Sequence, residues 1–125
     1  EAKRDWGHAK DYVEAMWKIL QQKNPDDYVL ATGIQYSIRQ FVNMVAKKLN
    51  MKISWKGKGI NEKCYDVNKK KIIVELDKSY IRPLDVQTLL GDAKKARKVL
   101  KWRPKKNIND LINEMIEFEL KKIKS

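Results

Sequence analysis

The chain has 125 residues and a formal net charge of +12, from 28 Lys and Arg against 16 Asp and Glu. This length allows at most one domain of ordinary size, and no run approaches the roughly 18 consecutive apolar residues of a membrane span. The only cysteine, Cys64, excludes an intrachain disulfide, and the only histidine, His8, leaves too few soft ligands for zinc. We therefore expect a cytoplasmic protein that needs neither metal nor membrane.

The first half of the chain carries two helical patterns. Apolar residues recur at helical spacing from Asp11 to Gln22, which predicts an amphipathic helix that Asp11 helps to cap. The continuous apolar run at residues 28–31 predicts a buried strand. Ser37 precedes Gln40 at capping-box spacing, so a second helix is predicted to start there.

The middle of the chain favours strands and loops. Residues 52–56 alternate between polar and apolar, which predicts a strand, and residues 72–74 predict another. Residues 57–68 are polar and contain glycine, so a loop is expected. Residues 77–83 are predicted to be irregular, since the closing proline favours an extended residue before it.

Two helices are predicted at the end. Asp92 is the expected N-cap of a helix over residues 93–100, and Pro104 separates it from a last helix that begins near Asn107. The residues of that helix expected to face inward are Ile108, Leu111, Ile112 and Met115. The predicted fold class is therefore α/β, a small unit with helices packed on a few short strands. So few strands make a small sheet, and we expect part of the apolar surface to pack against another domain.

Two arginines are the candidate ligand-binding residues. Arg4 precedes the first helix in a predicted loop, where its planar fork could bind a diphosphate better than lysine would. The alternative is a surface ion pair with Asp5. Arg82 lies in an aromatic and apolar stretch directly before a proline, a setting that suits a bound charged group. Its alternatives are packing over Tyr80 or pairing with Asp85.

Other features indicate structure more than chemistry. Tyr65 and Lys69 have the Tyr-x-x-x-Lys spacing of short-chain dehydrogenases, but they fall in a predicted loop, so we interpret the match as chance. His8 is expected to make hydrogen bonds, Trp102 to anchor packing and Cys64 to be an ordinary thiol. The sequence contains no glycine-rich dinucleotide fingerprint, so no cofactor-binding residue is predicted in this chain.

The basic charge leaves a nucleic-acid-binding module as an alternative. Residues 93–109 include eight basic side chains and no acidic one. However, specific phosphate recognition favours arginine, whereas most of the excess is lysine. The tryptophans are also not interleaved with the basic residues as stacking platforms. We therefore expect a solvated surface and no nucleic-acid partner; a gel shift with steep salt dependence would favour the alternative.

Four blocks along the chain resemble one enzyme family. They lie at residues 4–17, 25–42, 80–92 and 94–104. In order and spacing they resemble the C-terminal part of the GDP-mannose 4,6-dehydratase family, within the extended short-chain dehydrogenase/reductases, over essentially the whole chain. The Asp-Trp-Gly-His-Ala-Lys-Asp-Tyr-Val block is specific to that family. The Arg-Pro and Leu-x-Trp-x-Pro blocks are shared by many nucleotide-sugar epimerases and dehydratases.

The resemblance implies a lyase that uses NADP to convert GDP-mannose to GDP-4-dehydro-6-deoxy-D-mannose, the precursor of GDP-fucose. It implies that residues 1–125 form a single sugar-nucleotide-binding portion. The N-terminal Rossmann domain, with the cofactor site and the catalytic groups, would be absent from this chain. A chain that begins at Glu1 is thus expected to be part of a larger protein and inactive by itself. Family members are usually homodimers or homotetramers.

The resemblance also assigns substrate-binding residues. Arg4 and Arg82 match the two arginines that hold the diphosphate, and Asp85 matches the acid near the nucleotide ribose. Asp85 stands where glutamate is common, and both Lys101 and Cys64 stand where glycine is common. The alternative within enzymes is another extended dehydrogenase/reductase that acts on a different nucleotide sugar, such as an epimerase or a 4-reductase.

Overall fold

A computed structural model describes residues 1–124 and confirms the α/β fold class. The strands are β1 Lys3–Asp5, β2 Gln35–Ser37, β3 Ile53–Lys56, β4 Lys63–Asp66 and β5 Lys71–Glu75, and the α-helices are α1 Ala9–Leu20, α2 Ile38–Lys48 and α3 Ile108–Lys124. Two short 3₁₀ turns and a π-helix complete the regular structure. Within residues 1–124, no helix is both long and apolar enough to cross a membrane.

The chain divides into two compact units. The discontinuous unit comprises Glu1–Ile38 together with Gln87–Ser125, and the inserted unit comprises Arg39–Val86. The first contains β1, β2, α1, the π-helix and α3, and the second contains almost all of α2 and the three-stranded sheet.

In the discontinuous unit, β1 and β2 pair antiparallel, with Arg4 opposite Tyr36 and Asp5 opposite Gln35. The prediction that Arg4 lies in a loop is therefore wrong. A strand of three residues is too short to show an alternation of polar and apolar residues in the sequence. The two strands also come from segments about thirty residues apart, so neither segment alone indicates that they pair. The indole of Trp6 donates to the main-chain oxygen of Tyr36 across 3.1 Å and anchors the end of β1.

Helix α1 begins two residues earlier than predicted and uses a different cap. His8 is the N-cap, and its Nδ1 accepts from the main-chain nitrogen of Lys10 at 3.0 Å. Asp11 is buried, and its Oδ2 accepts from the main-chain nitrogen of Lys106 at 3.0 Å. The acid that was expected to cap the helix thus joins α1 to the chain segment before α3.

The apolar stripe of α1 faces solvent. Its members, each about half exposed or more, are Val13, Met16, Trp17 and Leu20. The face that packs into the unit carries Ala15, which is fully buried, with Tyr12 and Ile19 beside it. The helix is amphipathic as predicted, but its apolar stripe is left uncovered by the described residues.

Residues 28–31 do not form the predicted strand. Ala31 is buried in the core, but Val29 is 54% exposed. A strand needs a neighbouring strand to satisfy its backbone groups, and among residues 1–124 no strand pairs with this run.

Trp102 lies at the centre of the core of the discontinuous unit. It is fully buried, as predicted, and its ring centroid lies 6.1 Å from that of Tyr12. The buried cluster around it consists of four alanines and one leucine: Ala15, Ala31, Ala93, Ala96 and Leu100. Ala15 on α1 and Ala96 on the π-helix are both fully buried, and their small side chains allow these two helices to pack closely. A Cβ on Gly91 would lie only 2.3 Å from that of Ala31, so a larger residue would separate these segments.

The C-terminal helices largely follow the prediction. Asp92 Oδ1 accepts from the main-chain nitrogen of Lys94 at 3.0 Å, as expected of a cap. The helix then widens into a π-helix, Ala96–Leu100, and ends at Lys101, which has left-handed φ of 54°. At the start of α3, Asn107 and Asp110 each bond the other's main-chain nitrogen.

Two of the four residues expected to face inward from α3 are buried, Ile108 and Ile112. Leu111 is half-buried. Met115 is 50% exposed, so its predicted burial is wrong. The core of the unit ends within the first two turns of this helix, and the apolar pattern continues beyond it.

The inserted unit is an antiparallel sheet of order β3-β4-β5 with α2. Strands β3 and β5 confirm the predictions. The expected loop at 57–68 is wrong in part, since β4 occupies the centre of the sheet with Cys64 opposite both Trp55 and Val74. Cys64 is fully buried. The sequence did not predict this strand because only two of its four residues are buried and its neighbours in the chain are polar.

Candidate functional site

Arg4 and its neighbour Asp5 lie on β1, and their side chains have different partners. The Arg4 guanidinium donates to the main-chain oxygen of Lys3 at 2.8 Å. The carboxylate of Asp5, which was the alternative partner for Arg4, instead accepts hydrogen bonds from the turn at Thr32 and Gly33. Successive side chains of a strand point to opposite faces, so Arg4 and Asp5 point away from each other.

The Asp5 carboxylate accepts three hydrogen bonds from the turn at Thr32 and Gly33. Its Oδ1 accepts from the Thr32 main-chain nitrogen at 3.0 Å and from the Thr32 hydroxyl at 2.6 Å. Its Oδ2 accepts from the main-chain nitrogen of Gly33 at 2.9 Å. Gly33 has φ of +83°, a conformation that disfavours side chains. Sequence reasoning missed this role; the Thr-Gly pair after an apolar run was the available signal.

Arg82 and Asp85 both belong to the inserted unit, in the segment that follows a short 3₁₀ turn. Arg82 Nη2 lies 3.4 Å from Asp85 Oδ2, and the Arg82 side chain is 78% exposed. The pairing alternative is therefore present. An exposed ion pair contributes about 0–1 kcal/mol, so a doubly charged phosphate group could readily displace it.

The surroundings of Arg82 are unusually apolar for an exposed segment. Tyr80 is 81% exposed and Leu84 is 95% exposed. The turn itself is ordered, since the main-chain nitrogen of Asp85 donates to the Arg82 oxygen at 3.1 Å and Asp85 Oδ1 accepts from Val86. The segment thus exposes a guanidinium, a carboxylate and apolar side chains within residues 80–85, a combination whose chemistry suits a nucleotide.

His8 makes hydrogen bonds, as predicted. Because Nδ1 accepts from Lys10, the ring proton lies on Nε2, which donates to Glu114 on α3. Glu114 Oε1 also accepts from Lys106 Nζ at 3.1 Å. These bonds to His8 and then Lys106 lower the pKa of the Glu114 carboxyl below its usual value. The network joins the start of α1 to α3.

The remaining sequence candidates do not form a catalytic site. Tyr65 lies on β4 and Lys69 in the turn that follows, so the spacing does not place them on one helical face. The thiol of Cys64 is enclosed, and burial raises its pKa. Among residues 1–124 no group of three or more metal-binding side chains is present.

Internal ion pairs already engage part of the basic stretch. Lys95 bonds Asp26 at 2.7 Å, and Lys105 bonds Glu14 at 3.2 Å. Lys106 bonds Glu114, as described above. Arg97 and Arg103 line a common polar cavity with Pro104. Some of the lysines that would neutralise a nucleic-acid backbone are thus already paired with carboxylates of this chain.

Comparison with known proteins identifies relatives over nearly the whole chain. Residues 1–115 match the family described as GDP-mannose 4,6 dehydratase. A protein named GDP-mannose 4,6-dehydratase from Sinorhizobium fredii is 48% identical over 120 residues, which cover 96% of this chain and 34% of the relative. One of the same name from Dictyostelium discoideum is 44% identical over 124 residues, 99% of this chain and 35% of the relative.

A third relative, GDP-mannose 4,6 dehydratase 2 of Caenorhabditis elegans, is 46% identical over 95% of this chain and 31% of its own length. The chain spans about a third of the length of the curated relatives it matches. The match includes the block around β1 and the start of α1 as well as the segment with Arg82. The chain belongs to the GDP-mannose 4,6 dehydratase family.

Proposed function

We propose that this chain is the sugar-nucleotide-binding portion of a GDP-mannose 4,6-dehydratase, a lyase that converts GDP-D-mannose to GDP-4-dehydro-6-deoxy-D-mannose, from which GDP-fucose is made. The observation that carries the proposal is the family match over residues 1–115, together with relatives of 44–48% identity that bear this name. Residues 1–125 act together in this role as one portion of the enzyme.

Arg4, Arg82 and Asp85 are the proposed ligand-binding residues. Two guanidinium groups match the two charges of a diphosphate, and each can bond a phosphate through two parallel N–H groups. Asp85 would accept from a ribose hydroxyl. The pairing between Arg82 and Asp85 is weak and exposed on the Arg82 side, so Arg82 can exchange it for a ligand phosphate at little cost. Binding energy far from the reacting carbon atoms then orients the hexose for reaction.

The cofactor is proposed to bind outside these residues. The chain has five glycines, and the only pair two residues apart, Gly57 and Gly59, is followed at the third position by Glu62. A dinucleotide fingerprint needs glycine there, so these residues do not fit NADP, and we assign no step of its chemistry to them. We propose that a Rossmann domain in the remaining two thirds of the enzyme binds NADP and carries the catalytic groups.

The surface of the discontinuous unit supports a missing partner domain. The apolar stripe of α1, Val13 to Leu20, is exposed, and the apolar run at 28–31 has no strand partner within residues 1–124. Large exposed apolar patches mark contact surfaces. We propose that the Rossmann domain covers this face, and that the complete enzyme is a cytoplasmic homodimer or homotetramer.

The proposal is tested with a chimera in which this chain replaces the matching third of the Sinorhizobium fredii relative. We expect the chimera to convert GDP-mannose with NADP, and to act far more slowly on UDP- or dTDP-linked sugars. We expect the 125-residue chain alone to show no turnover. A folded chimera that prefers a UDP- or dTDP-sugar would instead favour an epimerase or reductase, and one with no activity would overturn the proposal.

The binding residues are tested in the same chimera. Arg82→Ala should raise the dissociation constant for GDP about 10- to 100-fold, the effect of losing a charged hydrogen bond. Arg103→Ala removes the same charge elsewhere and should leave GDP binding unchanged. If the chimera fails to assemble, GDP and UDP are titrated into the 125-residue chain itself; binding of neither, or of both equally, would count against the proposal.

A further inference from the structure

The Asp5 carboxylate holds β1 to the turn that feeds its partner strand. It receives three hydrogen bonds from two residues, Thr32 and Gly33, at 2.6 to 3.0 Å. The Thr32 hydroxyl is in turn oriented by the main-chain nitrogen of Ile34, from which it accepts at 3.2 Å. Hydrogen bonds to an ionised acceptor are roughly twice as strong as neutral ones. This is a dedicated attachment and not an incidental surface contact.

The attachment acts on a very short sheet. β1 and β2 have only three residues each, with Asp5 opposite Gln35 and Arg4 opposite Tyr36. A three-residue pair is marginal by itself, because isolated two-stranded ribbons have little stability. On its other edge, the Lys3 end of β1 is bonded to residues 87 and 89: the main-chain nitrogen of Lys3 donates to the Gln87 oxygen at 2.7 Å, and the Lys3 oxygen accepts from Leu89 at 3.1 Å. The Asp5 carboxylate adds bonds at the opposite end of the strand, where the turn enters β2, so it contributes to the register in which Arg4 is presented.

We infer that Asp5 is a positioning residue for Arg4: its carboxylate, bonded to Thr32 and Gly33, holds the Arg4 guanidinium in place for the diphosphate of a nucleotide sugar. This rests on the proposed function, in which Arg4 touches the ligand. Asp5 itself points to the opposite face of β1 and needs no contact with the substrate.

Both oxygens of the Asp5 carboxylate are needed as acceptors. Asparagine has the same size but only one acceptor oxygen, so Asp5→Asn would place an NH₂ group against the main-chain N–H of Gly33. Two donors then face each other, and β1 can satisfy both only by moving. Thr32→Val is a milder change that removes the hydroxyl donor and keeps both main-chain donors.

The test is a double-mutant cycle in the chimeric enzyme, with the dissociation constant for GDP as the readout. We expect Asp5→Asn to weaken GDP binding about 10-fold. In an Arg4→Ala background the same change should have almost no further effect, because Asp5 acts through Arg4. A residue that only stabilised the fold would lower the melting temperature and leave GDP binding unchanged, and this result would overturn the inference.

The outcomes distinguish the proposed role of Arg4 in binding from the inferred role of Asp5 in positioning Arg4. If Arg4→Ala leaves GDP binding unchanged, the proposed role of Arg4 fails, and the inference fails with it. If Arg4→Ala weakens binding while Asp5→Asn has no effect or an additive one, only the inference is overturned. Should Asp5→Asn not fold, Thr32→Val is placed in the same cycle and should show a smaller effect on GDP binding that is again absent without Arg4.

Discussion

The indole Nε1–H of Trp102 donates to the main-chain oxygen of Asp11 across 2.8 Å, within the buried core of the discontinuous unit. The Asp11 side chain accepts from Lys106, a few residues beyond the tryptophan. One residue of α1 thus bonds the segment between the π-helix and α3 through both its main chain and its side chain. This relationship sets how the C-terminal part packs on α1.

Trp102→Phe should destabilise the chain by about 1–3 kcal/mol, because the buried oxygen of Asp11 loses its donor. Trp102→Ala should cost about 3–5 kcal/mol through the cavity it leaves. Trp17→Phe is the matched control: Trp17 is 62% exposed on α1, and its change should stay within about 0.5 kcal/mol. Urea unfolding followed by circular dichroism measures all three. Equal effects of the two phenylalanine variants would contradict the core position of Trp102.

Lys101→Gly should stabilise the chain by about 1 kcal/mol. Lys101 ends the π-helix with φ of 54° and ψ of 34°, a left-handed conformation that strains any residue with a Cβ. Its main-chain oxygen, which accepts from Lys18 Nζ, is kept in the variant. Lys98→Gly, within the π-helix, should instead destabilise by about 0.5–1 kcal/mol. A lower melting temperature for Lys101→Gly would show that the side chain matters more than the strain.

Glu114→Gln should reduce the dependence of stability on acid pH. Hydrogen bonds from His8 and then Lys106 hold the pKa of Glu114 below its usual value. A lowered folded-state pKa contributes stability above the ordinary pKa of glutamate, and this contribution is lost as the pH falls through the folded-state value. Melting temperatures from pH 7 down to pH 3 should therefore fall less in Glu114→Gln than in the parent chain. Parallel curves for the two proteins would refute this.

Gly7→Ala should destabilise the chain by about 1–3 kcal/mol through overpacking. A Cβ at this position would lie 1.9 Å from the Tyr12 hydroxyl oxygen and 2.3 Å from ring carbon Cζ. Adding Tyr12→Phe removes the oxygen but leaves the ring, so it should not restore stability. Thermal unfolding of the single and double variants decides this, and a Gly7→Ala protein as stable as the parent would rule out the close approach.

Local patterns predicted the helices and two strands because their signals lie within a few residues. The periodicity of α1, the capping-box spacing of Ser37 and Gln40 before α2, and the alternation in β3 need no distant partner to be recognised. In contrast, β1 and β2 form only because Arg4 meets Tyr36 across thirty residues of chain. β4 was missed for a similar reason, since its burial depends on β3 and β5 on either side.

In the candidate site, too, local features could be predicted from the sequence and features that depend on distant residues could not. The residue types Arg4, Arg82 and Asp85 could be selected from composition, neighbours and family resemblance. The role of Asp5 could not, because it depends on where the turn at Thr32 and Gly33 lies in space. From sequence, the adjacent arginine was the natural partner for that carboxylate. Nearest neighbours in a strand face opposite ways, and this fact decides against the pairing.

The enclosed thiol of Cys64 can be used to measure opening of the sheet in the inserted unit. Because it is the only sulfhydryl of the chain and lies at the middle of the central strand, a thiol-reactive dye can reach it only when the sheet opens. At dye concentrations where labelling is faster than reclosing, the rate of labelling in water therefore equals the rate at which the sheet opens around Cys64. This measurement needs no engineered probe, because the native sequence already supplies the thiol.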